Sequence, residues 1–285
     1  VAELKENRSA FFIISTDTAY SALLKNNVVA DVVVSVDGQM ISHAHFMKLE
    51  KSTKFVFDLC SNSAAVKKTI KCGCEFIFTE SGHPLSFYAS NYGGKQSFIH
   101  LETGSGTVTI AAADFAVKAG FSKIKFFGAD FSYINGKPYT KGTYLDSIYR
   151  KTETRVEKAE NKFVHLLYRT EIIQLSQNKI TTNVLNSYSQ SLKKYAEENG
   201  LVHTSENTYE SKTPKTNCVQ KTLQNFDFAD FRKKYTTELK KCFSDSQKPD
   251  KSNPVFQTLL PLCASIEEGA PFIAYTKTLV YTESL

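Results

Sequence analysis

Residues 9–37 decide the fold of this chain and read SAFFIISTDTAYSALLKNNVVADVVVSVD. Residues 10–15 are an apolar run of strand length, and Asp17 then begins a segment whose apolar residues recur at helical spacing. Residues 31–36 are a second, β-branched run, of the kind that parallel sheets bury on both faces. The stretch therefore predicts a βαβ unit.

The same alternation continues through the first half of the chain. Further strands are predicted at residues 54–59, 75–79, 97–101 and 123–127, with helices at residues 63–71 and 107–119. Strands that alternate with helices of this length favour a parallel sheet. The predicted fold class is α/β, a Rossmann-like doubly wound and mainly parallel sheet with an appended C-terminal helical region.

The second half is less regular. Residues 128–146 are predicted to form a long functional loop, and residues 163–175 fit either a helix or a hairpin. The remaining predicted elements are a helix at 181–199, a strand at 201–204, helices at 228–243 and 255–266, and a linker at 248–254. We therefore predict a Rossmann-like domain over residues 1–206 and a C-terminal helical extension over residues 207–285.

Composition sets limits on location and partners. The chain has 285 residues and a net charge of +6, which mostly describes a solvated surface. Its six cysteines lack the spacing of a disulfide framework or of a zinc site, which is typical of reduced thiols in a cytoplasmic protein. No apolar stretch is long enough to span a membrane, and no basic, aromatic-rich nucleic-acid module is present. We expect neither a membrane span nor nucleic acid binding.

Polar residues directly after the predicted strands are the candidate ligand-binding residues, because open parallel sheets bind ligands at the carboxyl ends of their strands. The candidates are Thr16, Asp17, Asp37, Gly106, Thr107, Gly128, Asp130, Tyr133, Asn135 and Tyr139. Each alone is weak evidence, since an aspartate after a strand is more often a helix cap. The turn before Thr107 offers backbone N–H groups and a helix dipole to an anion.

The histidines do not indicate a metal site or a catalytic residue. His43 and His45 stand two residues apart on a polar segment, and without a third ligand at fixed spacing they are interpreted as solvent-exposed rather than as metal ligands. His165 lies in an apolar context typical of a core or surface histidine. No metal site is predicted, and the catalytic residues stay unassigned.

Two blocks carry a family resemblance. Residues 9–37, quoted above, resemble the motility accessory factor domain family, which includes the archaeal-type 6-hydroxymethylpterin diphosphokinases. Residues 106–139 read GTVTIAAADFAVKAGFSKIKFFGADFSYINGKPY and are similar to the same family. That block also resembles the bacterial sialyltransferases that use CMP-sialic acid, through Gly-x-Asp-Phe followed by Asn-Gly-x-x-Tyr. The two blocks cover roughly the first half of the chain.

Departures from the family pattern restrict what the resemblance implies. The family opens with a strand and a Gly-x-Gly-Pro-Ser-Leu turn that meets the ligand's phosphate, and nothing like it precedes Ser9. We therefore expect the first βα unit to be missing from this sequence. Residues 176–183 also lack the catalytic histidine that the sialyltransferases place before their last main helix.

The resemblance implies a glycosyltransferase-like protein that binds a nucleotide-activated, CMP-type nonulosonic sugar and serves flagellar or surface glycosylation in a bacterium. Asp17 and Asp37 would contact ribose or base, the turn at Gly106 and Thr107 would approach phosphate, and tyrosines would close over the ligand. Flagellin or another surface acceptor is the implied partner. Two alternatives stay open. One is a diphosphokinase-like transferase, in which Asp37 and Asp130 would hold Mg²⁺ on ATP phosphates. The other is a catalytically inactive nucleotide- or sugar-binding module.

Overall fold

The computed structural model of this chain describes residues 1–94, 96–104, 106–211, 226–244, 249–266 and 269–284. Cys218 and the first residue of the predicted linker, Lys248, lie outside these residues. Two compact units are present. The first comprises residues 1–77 and 102–218, and the second comprises residues 78–101 and 219–285.

Eleven strands lie in the described residues and form three sheets. They are β1 Ile14–Thr16, β2 Val32–Ser35, β3 Lys54–Asp58, β4 Phe76–Glu80, β5 Ile99–His100, β6 Lys123–Lys125, β7 Tyr133–Ile134, β8 Ile172–Ser176, β9 Lys179–Thr182, β10 Leu201–Ser205 and β11 Thr208–Ser211. Strands β1 to β5 form one five-stranded sheet in the order of the sequence, and all of them run parallel. The predicted α/β, Rossmann-like class is confirmed.

Twelve α-helices connect or follow these strands in the described residues. They are α1 Ala2–Glu6, α2 Asp17–Lys25, α3 Ser63–Lys71, α4 Pro84–Ser90, α5 Val108–Lys118, α6 Tyr144–Lys151, α7 Ala159–Leu167, α8 Asn183–Glu198, α9 Phe228–Cys242, α10 Pro254–Thr258, α11 Leu260–Cys263 and α12 Ala270–Ser284. No helix among the described residues combines the length and the apolar character that crossing a membrane requires.

The β1–α2–β2 unit forms where the sequence predicts it. Ile14 pairs with Val32 and Thr16 with Val34 in parallel register. Strand β2 is buried along its whole length, as its β-branched residues predict for a strand covered on both faces. Helices α2 and α5 both pack on β1 and β2. The Asp31 carboxylate accepts the Ile13 N–H at 2.7 Å, which orders the entry into β1.

Strand β6 differs from the prediction, which continued the parallel sheet through residues 123–127. It pairs antiparallel with β11 in a separate sheet of order β10-β11-β6. The third sheet, of order β7-β9-β8, is also antiparallel. Alternating hydrophobicity predicts a strand without specifying its partner, because pairing depends on residues far away in the sequence.

Part of the second half is better ordered than predicted. Helix α6 begins inside the predicted loop of residues 128–146. The undecided stretch at residues 163–175 contains both the end of α7 and most of β8. Strand β11 lies beyond the predicted boundary at residue 206, yet it pairs with β10 and β6 and so is part of the first unit.

The second unit has its own hydrophobic core. Helices α9 to α12 supply most of it, and residues 78–101 contribute α4. The buried residues are Ala89, Phe231, Tyr235, Leu239, Cys242, Phe243, Val255, Phe256, Leu259 and Ala274. The predicted helices at residues 228–243 and 255–266 correspond to α9 and to the pair α10 and α11, whereas α12 was not predicted.

Candidate functional site

Asp17 is the first residue of α2 and directly follows Thr16, which ends β1. Its side chain is buried, and its carboxylate accepts the Ser35 hydroxyl at 2.7 Å and the Thr18 N–H at 2.7 Å. Burial raises the pKa of Asp17 above its ordinary value, against the opposing effects of His45 and of these hydrogen bonds. A carboxylate that is buried at a strand end, where burial disfavours its charged form, is a functional candidate.

Asp37 follows β2 and fixes the turn after it. Its carboxylate accepts the Gln39 N–H at 2.8 Å and the Ser42 hydroxyl at 2.6 Å. These bonds begin the 3₁₀ segment Met40–Phe46, in which His45 lies. Asp37 is half-buried. Asp37 therefore orders this turn, and it also lies within electrostatic reach of His45.

His45 is buried, which the sequence did not predict. Only 6% of its surface is exposed, and its Nδ1 atom has no hydrogen-bond partner among the described residues. Burial lowers the pKa of His45, while the charges of Asp17 and then Asp37 raise it. His43 is exposed as predicted, and its Nδ1 lies 2.6 Å from the Met40 carbonyl oxygen. Solvent exposure was thus correct for His43 and wrong for His45.

A group of tyrosines lies beside these charged residues. The ring of Tyr144 meets that of His45 edge-on at a centroid distance of 4.5 Å. Burial raises the pKa of Tyr144, and the charges of Asp37 and Asp17 raise it further. Burial likewise raises the pKa of Tyr139, and Tyr144 and Tyr133 raise it further, whereas the charge of Arg169 lowers it. We call Tyr133, Tyr139, Tyr144 and Tyr149 the tyrosine cluster.

The segment before α6 holds Tyr144 in place. The Gly142 carbonyl accepts the Ser21 hydroxyl of α2 at 3.1 Å, and the Gly142 N–H donates to the Asp146 carboxylate at 2.9 Å. Gly142 has a φ of +103°, and a Cβ atom there would lie 3.3 Å from the Cα of Ala22. A glycine is therefore required for this close approach to α2.

The turn at Gly106 and Thr107 begins α5. The Thr107 hydroxyl accepts the Thr109 N–H at 3.3 Å and so caps the helix. Gly106 has a φ of +89°, a conformation that glycine adopts without strain. Asp114 of α5 accepts the Glu102 N–H at 2.8 Å and thereby ties the start of this segment to the helix.

The other predicted residues follow β6 and β7. Gly128 and Asp130 are exposed, and Asn135 lies in the turn after β7, where its N–H donates to the Asn178 carbonyl at 2.8 Å. Within the part of the chain that the structure describes, no contact joins Asp130 or Asn135 to Asp17. Electrostatic interactions and one ring contact link Asp17, Asp37, Tyr133 and Tyr139 with Tyr144, Tyr149 and Arg169, which the sequence did not single out, and with His45, which it interpreted as exposed.

The missed residues share one property. Their roles depend on burial and on neighbours distant in sequence, which local patterns do not encode. Across the residues that the structure describes, no group of three or more His, Cys, Asp or Glu side chains could hold a metal ion.

Comparison with protein families gives a match over the first half of the chain. A family model described as 6-hydroxymethylpterin diphosphokinase MptE-like matches residues 1–136. This match confirms the predicted family resemblance. The matched residues contain β1, α2, β2 and Tyr133 of the tyrosine cluster.

A curated relative is known only as an uncharacterized protein. It comes from Treponema pallidum (strain Nichols) and is 44% identical over 115 residues. The alignment covers 40% of this chain and 40% of that protein, so the chain spans well under half of the relative's length. No solved structure matches the chain significantly.

Proposed function

We propose that the first unit is a transferase domain that binds a nucleotide-linked donor against Asp17, Asp37, His45 and the tyrosine cluster. The observation that carries the proposal is the buried carboxylate of Asp17 at the end of β1, electrostatically coupled to a buried histidine whose Nδ1 has no partner. Buried polar atoms without partners are rare in folded proteins, and a ligand is one explanation for them. The match of residues 1–136 to a transferase family supports this interpretation.

The charge distribution suggests which end of the ligand lies where. Carboxylates accept hydrogen bonds from hydroxyl and amino groups and repel phosphate, so Asp17 and Asp37 suit a ribose or a base. Arg169, near Tyr133 and Tyr139, is a cation beside the cluster. The backbone at Gly106 and Thr107 and the dipole of α5 are further groups suited to an anion.

This limited positive charge favours a donor with a single phosphate. The sequence contains no Gly-Lys-Ser/Thr lysine of the kind that grips β- and γ-phosphates. We therefore propose a CMP-type nonulosonic sugar as the donor and a flagellar or other surface glycan or protein as the acceptor. His45 would meet the donor through Nδ1. Its imidazole is neutral at pH 7, since burial lowers its pKa from 6.5.

A 6-hydroxymethylpterin diphosphokinase-like reaction is the second candidate. The description of the matching family favours it directly. In that reaction Asp37 and Asp130 would hold Mg²⁺ on the phosphates of ATP, since Mg²⁺ prefers carboxylate oxygens. A nucleotide-binding module without catalysis is the remaining outcome.

The experiment is a thermal-shift panel of CMP, ATP and GTP, each with and without Mg²⁺. We expect CMP to raise the melting temperature more than ATP does, and His45→Gln to reduce the shift. His43→Gln is the matched control, because His43 is exposed two residues away. An ATP preference that requires Mg²⁺ would favour the diphosphokinase. The absence of any shift would overturn nucleotide binding altogether.

A further inference from the structure

Two adjoining depressions lie on the surface of the second unit. One has a volume of about 500 Å³ and the other of about 410 Å³, and both are lined by Tyr88 and Tyr92. Together we call them the aromatic–lysine groove. Its other lining residues are Gly82, Pro84, Phe87, Asn91, Gly93, Asp230, Lys233, Lys234, Thr237, Glu238, Lys241, Pro254 and Gln257.

The aromatic floor of the groove is held rigidly. The ring of Tyr88 lies 5.8 Å from that of Tyr235, and the ring of Tyr92 meets Phe231 edge-on at 5.3 Å. Tyr235 and Phe231 belong to the buried core of the unit. Phe87 is different, since 55% of its surface is exposed. The groove is therefore lined by ordered aromatic rings, of which Tyr92 lies under the Lys234 ammonium at 5.4 Å, and by the exposed ring of Phe87, which is available to a ligand.

Two amide side chains add polar groups at one end. The Nδ2 atom of Asn91 donates to the Phe87 carbonyl at 2.9 Å, which fixes the direction of the side chain. Gln257 is exposed, and its side-chain amide has no hydrogen bond among the described residues. An amide both donates and accepts hydrogen bonds, so it suits a ligand rich in hydroxyl groups.

The other end carries three lysines and two carboxylates, which leaves a net charge of +1. Lys234 pairs with Asp230 at 3.0 Å, and Lys241 pairs with Glu238 at 2.7 Å. Lys233 lines the same depression and has no ion pair among the described residues. The charge of Lys233 acts on Asp230, which already pairs with Lys234, so the exposed ammonium of Lys233 keeps N–H donors for an anionic group.

We propose that the aromatic–lysine groove binds an anionic saccharide, with a sugar ring packed on Phe87 and Tyr92, its hydroxyls on the amides, and its carboxylate on Lys233. A net charge of +1 does not suit a nucleic acid strand, whose affinity comes from many phosphate contacts. An entirely apolar ligand would leave the two amides and Lys233 without partners. The proposal does not depend on the donor proposed for the first unit.

The test uses the full chain and titration calorimetry with two probes. The first probe is a disaccharide of glucuronic acid and N-acetylglucosamine, and the second is lactose, which is neutral. We expect the acidic disaccharide to bind and lactose to bind about two- to fivefold more weakly, the scale of one exposed ion pair. Equal binding of the two would refute the role assigned to Lys233, and no binding of either would refute the proposal.

Variants assign the binding to the groove. Phe87→Ala should weaken binding by about two- to tenfold, and Lys233→Ala should weaken only the acidic disaccharide. Phe228→Ala and Lys251→Ala are the matched controls, because Phe228 is 58% exposed and Lys251 is exposed in the same unit but outside the groove. Binding that survives both groove variants would place the saccharide elsewhere. CMP protection should not change in Phe87→Ala, which separates this test from that of the first unit.

Discussion

Removing one hydroxyl from the first unit tests how the start of α5 is anchored. The buried Asp114 of α5 accepts the Tyr195 hydroxyl at 2.8 Å, the Lys118 ammonium at 2.5 Å and the Glu102 N–H at 2.8 Å. Burial and the charge of Asp114 raise the pKa of Tyr195 above its ordinary value, so the hydroxyl stays protonated and donates at every working pH. Tyr195→Phe keeps the ring and deletes this donor.

The expected loss follows from the charge of the acceptor. A hydrogen bond to a charged group contributes about 1.5–3 kcal/mol to the free energy of unfolding. For a unit of this size, each kcal/mol lowers the melting temperature by about 2–4 °C. Tyr195→Phe should therefore lower the transition of the first unit by roughly 3–12 °C.

Chemical denaturation and calorimetry measure this change against Tyr188→Phe. Tyr188 is half-buried on the same helix, and its hydroxyl has no hydrogen bond among the described residues. The control should change the free energy of unfolding by less than about 0.5 kcal/mol. If both variants lose equally little stability, Asp114 does not anchor α5 in the way described.

Three further predictions follow from buried groups. Burial lowers the pKa of His45 in the folded chain below 6.5, so the unfolded chain takes up a proton first as the pH falls through 6.5, and the wild type should lose stability there. Urea denaturation at pH 7 and at pH 5 should show a smaller loss of stability for His45→Gln than for the wild type. An equal loss would contradict the burial of His45. Leu239→Ala removes a fully buried side chain from the core of the second unit and should cost about 2–5 kcal/mol in the same assay; a cost below about 1 kcal/mol would show that this core is loosely packed. Gly38→Ala would bring a Cβ atom to 2.6 Å from the Cys60 carbonyl oxygen, so the turn at Asp37 should move, at a cost of about 1–3 kcal/mol in the free energy of unfolding. CMP should then raise the melting temperature of this variant less than that of the wild type. An equal rise would show that this turn does not contact the ligand.

The parts of the fold that local patterns encode were predictable. The β1–α2–β2 unit follows from two apolar runs around a helical segment, and each of its elements packs on sequence neighbours. The pairing of β6 with β11 was not predictable, because these strands are more than 80 residues apart in the sequence and alternation does not name a partner. The sequence did not predict helix α6, because the glycine- and tyrosine-rich residues before it are typical of a loop.

The candidate site divides in the same way. The sequence places Asp17 and Asp37 at strand ends, and the structure adds the hydrogen bonds that hold each carboxylate. The sequence did not predict the burial of His45 or its ring contact with Tyr144, because the two residues are 99 positions apart. The boundary of the second unit was also hidden, because residues 78–101 join it from an earlier part of the chain.

A crystal structure of the chain grown with CMP would test the central claim most directly. The account predicts cytidine density against Asp17 and Asp37, a contact to Nδ1 of His45, and the phosphate toward Arg169 or the N-terminus of α5. Density for CMP at any other place on the first unit, with Asp17 and His45 untouched, would contradict it.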